Sequence, residues 1–388
     1  MSEWKTYKLG DIAELRKEQI VSNGVEQPYI GLEHIEQQSL RLNGVGSSDN
    51  VVSNKFKFHN GDTLYGRLRP YFRKVYNPKF EGVCSTEIFV IKNKKNVDKD
   101  FLYYLVATEE FTNIANSGSS GTHMPRADWK QLEKSEWNIP DLPTQTQIAQ
   151  ILTSLDEKIE LNLQMNQTLE AMAKAIFKEW FVDFKFPGFD GVLVDGLPKG
   201  WRNFSLSDLV DTVSKTFKFP DGKAIFLNTS DILEGKFLHT NYTKFEDLPG
   251  QAKKSIQKGD ILFSEIRPAN KRYAFVDFDA KDYVVSTKLM VLRSKGIVGN
   301  LLVYFFIKSD EVLNQLQTLA ETRSGTFPQI TYFELSKILI NIPTQDILER
   351  FTAVLQSSFE KIRENQSEIQ TRDTLLPKLM SGKIEIKN

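Results

Sequence analysis

The decapeptide GDTLYGRLRP at 61–70 returns at 259–268 as GDILFSEIRP. Self-similarity at a long, fixed offset marks repeated structural units, so the chain must fold as a duplicated plan. Other pairs follow in the same order: WKTYKLGDI (4–12) with WRNFSLSDL (201–209), STEIFVI (85–91) with STKLMVL (286–292), and FLYYLVA (101–107) with LLVYFFI (301–307). Further along, SGTHMPRADW (120–129) answers to SGTFPQITYF (324–333), NIPDLPTQTQI (138–148) to NIPTQDIL (341–348), and DEKIELN (156–162) to FEKIREN (359–365). The offset drifts only between 197 (4 to 201) and 204 (120 to 324), as small loop insertions produce. One such match is a coincidence; an ordered series is a tandem duplication.

Each half reads as a mixed region of short alternating strands and Gly/Pro/Asn turns, followed by a long helix. The expected domains are 1–142 and 187–342 (the latter with its linker), and the expected helices fall in 143–186 and 343–388. The fold class is α+β. Thr144 with Gln147, just after Pro143, forms a capping-box pattern that predicts the start of the first helix. The second start has Thr344 as N-cap and Asp346 as a first-turn acid, without a box.

Both helices carry a heptad stripe. From Ile148 the 4-3 spacing selects Leu152, Leu155, Ile159, Asn162, Asn166, Leu169, Ala173, Ile176 and Trp180. From Phe351 it selects Leu355, Ser358, Ile362, Asn365, Ile369, Arg372, Leu376 and Leu379, each 203 residues after a member of the first series (162 to 365). Such a stripe over four or more heptads predicts two helices pairing as a coiled coil; the alternative is an amphipathic helix lying on its own domain. Asn at seam positions costs stability but rejects slipped registers. Pro377 should kink or end the second helix roughly where the first continues. Helices of about 35 residues are about 50 Å long. Paired antiparallel, they would set the two mixed domains at the ends of a pseudo-twofold dumbbell.

Bulk properties narrow the class. At 388 residues, 40% apolar and 26% charged, the chain suits a soluble protein of two or three domains. Its 50 basic and 50 acidic residues cancel, so any nucleic-acid binding must come from local clusters. A lone cysteine, Cys84, excludes an internal disulfide and suits a reducing compartment. The N-terminus lacks an apolar leader pattern, and the longest apolar runs are seven residues against the ~20 of a membrane span. A cytoplasmic location is expected.

Catalytic equipment is not legible. There is no phosphate-loop motif, no nucleophile elbow, and no Cys/His metal spacing among His34, His59, His123 and His239. Cys84 sits in a strand pattern, which suits core packing. Pro220-Asp221 with Glu234-x-Lys236 resembles a weak Mg²⁺-nuclease spacing that has no counterpart in the first repeat. Asn77-Pro-Lys-Phe80 resembles the aromatic grip of amino-methyltransferases, but Lys79 replaces a proline and no glycine-rich cofactor turn accompanies it.

What remains is binding. Between Thr63 and Phe80 the chain carries Arg67, Arg69, Arg73, Lys74 and Lys79 with no acid, interleaved with Tyr65, Tyr71, Phe72, Tyr76 and Phe80. Cations among aromatics suit phosphate contact and base-edge reading, and they suit equally a solvated edge strand protected by charge. The second copy has Arg267, Lys271 and Arg272 against Glu265, so the two halves should not read the same bases. The loops SGSSGTHMPR (117–126) and TRSGTFPQI (322–330) offer Thr122, His123, Arg126, Arg323, Thr326 and Gln329 as further DNA contacts, or serve as plain connections.

On IPDLPTQTQIAQILTSLDEKIELNLQMNQTLEAMAKAIFKEWFVDF (139–184), LPKGWRNFSLSDL (197–209), LLPKLMSGKIEI (375–386) and the two strand phrases, the chain resembles the specificity subunits of type I restriction–modification systems. The resemblance covers essentially the whole chain. It implies two target-recognition domains, each reading half of a split duplex sequence, with an antiparallel helix pair as spacer. It also implies partners: two modification subunits that methylate adenine with S-adenosylmethionine, and two ATP-driven restriction subunits. The specificity subunit itself would bind no cofactor and catalyse nothing; S-adenosylmethionine, ATP and Mg²⁺ would belong to the partners. The family's usual Pro-Pro and Glu-Gln pairs at the helix entrance are replaced here by LPTQTQ and IPTQDI, so contacts of that Glu do not carry over. The expected function is a non-catalytic DNA-recognition and assembly subunit. A free-standing nuclease or methyltransferase and a protein-only scaffold are the alternatives.

Overall fold

The computed structural model describes residues 4–20, 26–50, 54–117, 124–218 and 222–386. The chain divides into two units: residues 1–164 with 362–388, and residues 165–361. Two helices of 36 residues, Leu142–Phe177 and Gln345–Met380, each contribute one stretch to each unit.

In the first unit an antiparallel sheet runs in the order β1 (Ala13–Leu15), β4 (Ile88–Asn93), β2 (Thr63–Gly66), β3 (Val75–Tyr76). The second unit repeats it as β5 (Val210–Thr212), β8 (Leu289–Ser294), β6 (Ile261–Ser264), β7 (Tyr273–Phe275). The register is the same: Thr63 opposes Ile91 and Gly66 opposes Ile88, while Ile261 opposes Leu292 and Ser264 opposes Leu289. A further sheet joins each unit, five-stranded in the first and four-stranded in the second, each with one parallel pairing (Tyr29–Val83; Ile225–Tyr283).

The repeated Gly-Asp has a physical cause. His59 to Asp62 and Gln257 to Asp260 are four-residue turns closed by the aspartate N–H on the first carbonyl, at 3.0 and 3.1 Å. Gly61 (φ +87°) and Gly259 (φ +93°) supply the positive φ that such a turn needs at its third position. Each aspartate then accepts the N–H of the turn's first residue, at 2.7 and 2.9 Å. Both carboxylates are buried and meet an arginine fork: Arg16 on Asp62 at 2.8 and 3.1 Å, Arg293 on Asp260 at 2.7 and 2.8 Å. The arginine comes from just after β1 in the first copy and from β8 in the second, yet it neutralises the same charge.

The apolar runs at 101–107 and 301–307 fall in helices, Lys99–Val106 and Asn300–Ile307, buried nearly all round beneath the β1–β4 and β5–β8 sheets. Asp98 caps the first through the N–H groups of Asp100 and Phe101, both at 2.9 Å.

The long helices pair antiparallel within each unit. In the first, Asp156 meets Arg372 at 2.8 Å and Lys158 meets Glu368 and Glu364 at 2.6 and 3.1 Å. In the second, Ser358 donates to Asn166 at 2.6 Å, and Phe177 and Phe181 pack on Phe351. Ile148, Leu152, Ile159, Asn162, Ala173, Phe351, Leu355, Ser358, Asn365, Arg372, Leu376 and Leu379 are buried; Leu155, Asn166, Leu169, Ile176, Trp180, Ile362 and Ile369 are half-buried. The 4-3 stripe therefore faces the partner helix and the domain at once.

Two expectations at helix ends need correction. The first helix begins at Leu142, and its cap is Asp141, whose carboxylate accepts the Thr144 N–H at 3.1 Å. Thr144 lies inside the first turn, so the Thr144–Gln147 box does not set the start; an acid at the N-terminus satisfies both the free N–H groups and the helix dipole. Hydrogen bonds from Thr144 hold the Asp141 carboxyl below its ordinary range. The second helix continues past Pro377 to Met380, and the equivalent point of the first, Phe177, leads into a π-turn at Lys178–Val182. Pro377 sits in the last turn, where little of the ladder depends on it.

Candidate nucleic-acid interface

In each unit β2 or β6 ends in an arginine–proline corner. Arg69 (φ +51°) and Arg267 (φ +43°) adopt the left-handed region, Pro70 and Pro268 are buried, and a short 3-10 turn ends at Arg73 (φ +44°) and Lys271 (φ +53°), again left-handed. Left-handed backbone at a residue with a Cβ costs about 1–2 kcal/mol and persists only where the surroundings over-determine it. Here they do. The N–H of Arg69 donates to the Pro125 carbonyl at 2.7 Å and that of Arg267 to the Pro328 carbonyl at 3.1 Å. Bridges Leu68–Arg126 and Ile266–Gln329 then stitch the following loop to the strand end. Two equivalent corners, each strained in the same way, present the Arg69 and Arg267 side chains to solvent.

The other proposed contacts are mostly committed inside the protein. Lys74 donates to the Leu32 carbonyl, and Arg272, its equivalent, to the carbonyls of Ser230 and Ile232 at 3.0 and 2.9 Å. Both cations clamp a 3-10 turn of their own unit, and burial pulls the Lys74 ammonium below its usual range. They are scaffold rather than free contacts. Arg126 forks onto Glu87 at 3.0–3.1 Å, Arg323 meets Glu334 at 2.7 Å, and Lys271 lies 3.6 Å from Glu234. Arg67 stacks its guanidinium on Phe89 at 5.1 Å. Thr326 offers its carbonyl to Arg267 at 3.5 Å and Gln329 accepts from Lys288 at 3.2 Å. Thr122, His123 and Asp221 lie outside the described residues.

Arg69 and Arg267 thus carry the exposed charge, while the residues behind them differ in sign. Where the first unit has Arg67, Glu87 and Arg126, the second has Glu265, Lys288 and Gln329, joined by the same backbone bonds (Arg67 N–H to Glu87, Glu265 N–H to Lys288). A shared backbone with reversed charges is an arrangement that can present one geometry to two different targets. Sequence reading missed this because Glu87 and Lys288 belong to the turns that lead into β4 and β8, about twenty residues along the chain from the corners (69 to 87, 267 to 288).

The candidate chemistry elsewhere dissolves. Glu234 lies in a left-handed turn and pairs with Lys271, Cys84 is fully buried in the strand Gly82–Ser85 with its thiol pushed up by burial, and Asn77 is buried. Among the described residues no group of three metal-ligating side chains converges, and no helix is long and apolar enough to cross a membrane.

The model of the type I restriction modification DNA specificity domain matches residues 1–171 and again 198–371, the two repeats. The HindI type I restriction enzyme specificity subunit of Haemophilus influenzae is 41% identical over 184 residues, covering 47% of this chain and 40% of that one. The MjaIX specificity subunit of Methanocaldococcus jannaschii is 26% identical over 314 residues, covering 76% and 71%. The match thus spans less than half of the Haemophilus relative and most of the other. The crystal structure of the type I restriction-modification system S subunit from M. genitalium shares the fold, with a TM-score of 0.61 at 12% identity over 100% of this chain and 97% of that one. Duplicated strand phrases, duplicated corners and two successive matches to one model converge: the chain belongs to the type I restriction modification DNA specificity family.

Proposed function

We propose that this chain is the DNA-recognition and assembly subunit of a type I restriction–modification complex, each unit reading one half of a bipartite duplex site. The observation that carries this reading is the pair of strained corners, which expose one arginine per unit at equivalent positions, Arg69 and Arg267. Such a cation meets phosphate or the O6/N7 edge of guanine, and the charge-reversed residues behind it make the two halves of the target unlike. The long helices, each running from one unit into the other, set the gap between the half-sites. The chain works in the cytoplasm with two modification subunits and with restriction subunits. Methyl transfer from S-adenosylmethionine and ATP- and Mg²⁺-dependent steps belong to those partners, and this chain holds none of these cofactors.

The test uses the purified chain with and without its methyltransferase partner, given duplex DNA, Mg²⁺ and S-adenosylmethionine. Methylation only with the partner is expected; sustained cleavage or methylation by the chain alone would overturn the reading. R69A and R267A should leave assembly with the partner intact and weaken duplex binding. Intact DNA binding in both variants would favour a protein-only scaffold instead.

A further inference from the structure

At both corners an apolar side chain stands in water without a role in the fold. Met124 is 47% exposed and Phe327 49%. They are equivalent positions, each directly before the proline whose carbonyl accepts the corner arginine's N–H (Pro125 for Arg69, Pro328 for Arg267). Isolated exposed apolar residues are ordinary on a protein surface. These two share one position in both repeats, differ in identity, and each neighbours an exposed arginine.

Their backbone is pinned while their side chains are free. The Met124 carbonyl accepts from Arg126 at 3.5 Å, and Glu87 holds that arginine. The Phe327 N–H donates to Ser324 Oγ at 3.1 Å, and Arg323 on Glu334 anchors the same loop. An apolar tip on a hydrogen-bonded backbone beside a phosphate-seeking cation has the composition of a wedge that parts stacked base pairs. Resting on the DNA-reading assignment above, we propose that Met124 and Phe327 insert between neighbouring base pairs of the duplex, beside the contact made by Arg69 or Arg267. The phenylalanine ring can stack on a base face, whereas methionine fills the gap flexibly, so the second unit should disturb its step more strongly. Tyr71, exposed beside Pro70 in the first unit, has Ala269 as its counterpart and therefore cannot serve both halves in the same way.

The experiment uses the full chain with its methyltransferase partner and duplexes containing the methylated site, with 2-aminopurine placed at each base step other than the methylated base. The wild-type complex should raise emission at one step in each half-site. F327A should return one half to the free-duplex level and M124A the other, F327L and M124L should retain part of the rise, and each alanine variant should bind about 5- to 100-fold more weakly. Unchanged emission in the alanine variants, or loss at the first half in Y71A but not M124A, overturns the assignment. Anisotropy on the same samples separates the two levels: a wild-type complex that does not bind the duplex at all overturns the DNA reading together with the wedge.

Discussion

Arg372 is 2% exposed, yet it occupies a seam position where the other repeat has Leu169. Its guanidinium meets Asp156 Oδ1 at 2.8 Å and Asp373 Oδ1 at 2.8 and 3.0 Å, and Tyr104 donates to the other Asp156 oxygen at 2.7 Å. Burial pulls the arginine's pKa down, and Asp156 and Asp373 more than restore it, so the charge persists in the seam. Asp156→Asn keeps the volume and an acceptor for Tyr104 while removing the compensating charge. Stripping one partner from a buried pair costs about 3–5 kcal/mol; because Asp373 remains in contact, about 2–3 kcal/mol is expected. Arg372→Leu removes the buried charge and installs the residue of the other repeat; Asp156 keeps Tyr104 and partial access to water, so the cost is about 1 kcal/mol. The double variant contains no stranded charge and should also lose only about 1 kcal/mol, so that R372L rescues D156N. A single melting temperature is poorly defined for a chain of two units, so the assay is peptide-resolved hydrogen exchange under increasing urea, read in the first unit. Additivity of the two single effects to within about 0.5 kcal/mol would refute the reasoning.

Other consequences follow from the same packing. Asn162 and Asn365 are buried in the seam, so N162L/N365L should stabilise the first unit by about 1 kcal/mol or more while admitting slipped registers, seen as additional cross-linked species between helix cysteines placed for one register. Asp260 is fully buried on Arg293, so D260A should cost about 3–5 kcal/mol in urea-dependent exchange of the second unit; a loss below about 1 kcal/mol would contradict the pairing. Burial pushes Tyr65 up to about 12, and Tyr103, Tyr104, Tyr273 and Tyr304 are raised by burial as well. The folded chain keeps protons that the unfolded chain releases, so this stability is whole below about pH 10 and falls as pH rises through that value toward 12. Absorbance titration should show these tyrosinates emerging only with unfolding, and ordinary titration of a native chain near pH 10 would disprove their burial.

Much of the architecture was legible because it is written locally. The repeats expose the duplication directly, glycine with an aspartate specifies its turn, and the 4-3 stripe needs no tertiary information to reveal a helix pair. The site was legible only in outline. The candidate cations look free in the sequence, but the Leu32 carbonyl holds Lys74, Glu87 holds Arg126, and the carbonyls of Ser230 and Ile232 hold Arg272, partners supplied by elements far along the chain. Nor does residue type announce the left-handed backbone of Arg69 and Arg267; a following proline favours extended conformations, and the corners override that preference through tertiary hydrogen bonds. The helix start was misplaced for a related reason: Asp141 and Thr144 are both competent caps, and the local pattern favours the one with a glutamine three residues on.

The central claim, that each unit reads its own half of a split site, is tested most directly by mapping methylated adenines in cells that co-express the chain with its methyltransferase partner, for the wild type, R69A and R267A. The account predicts a two-part motif with a fixed gap, in which R69A relaxes one half and R267A the other while the gap stays constant. Equal loss at both halves in either variant, or a single uninterrupted motif, would contradict it.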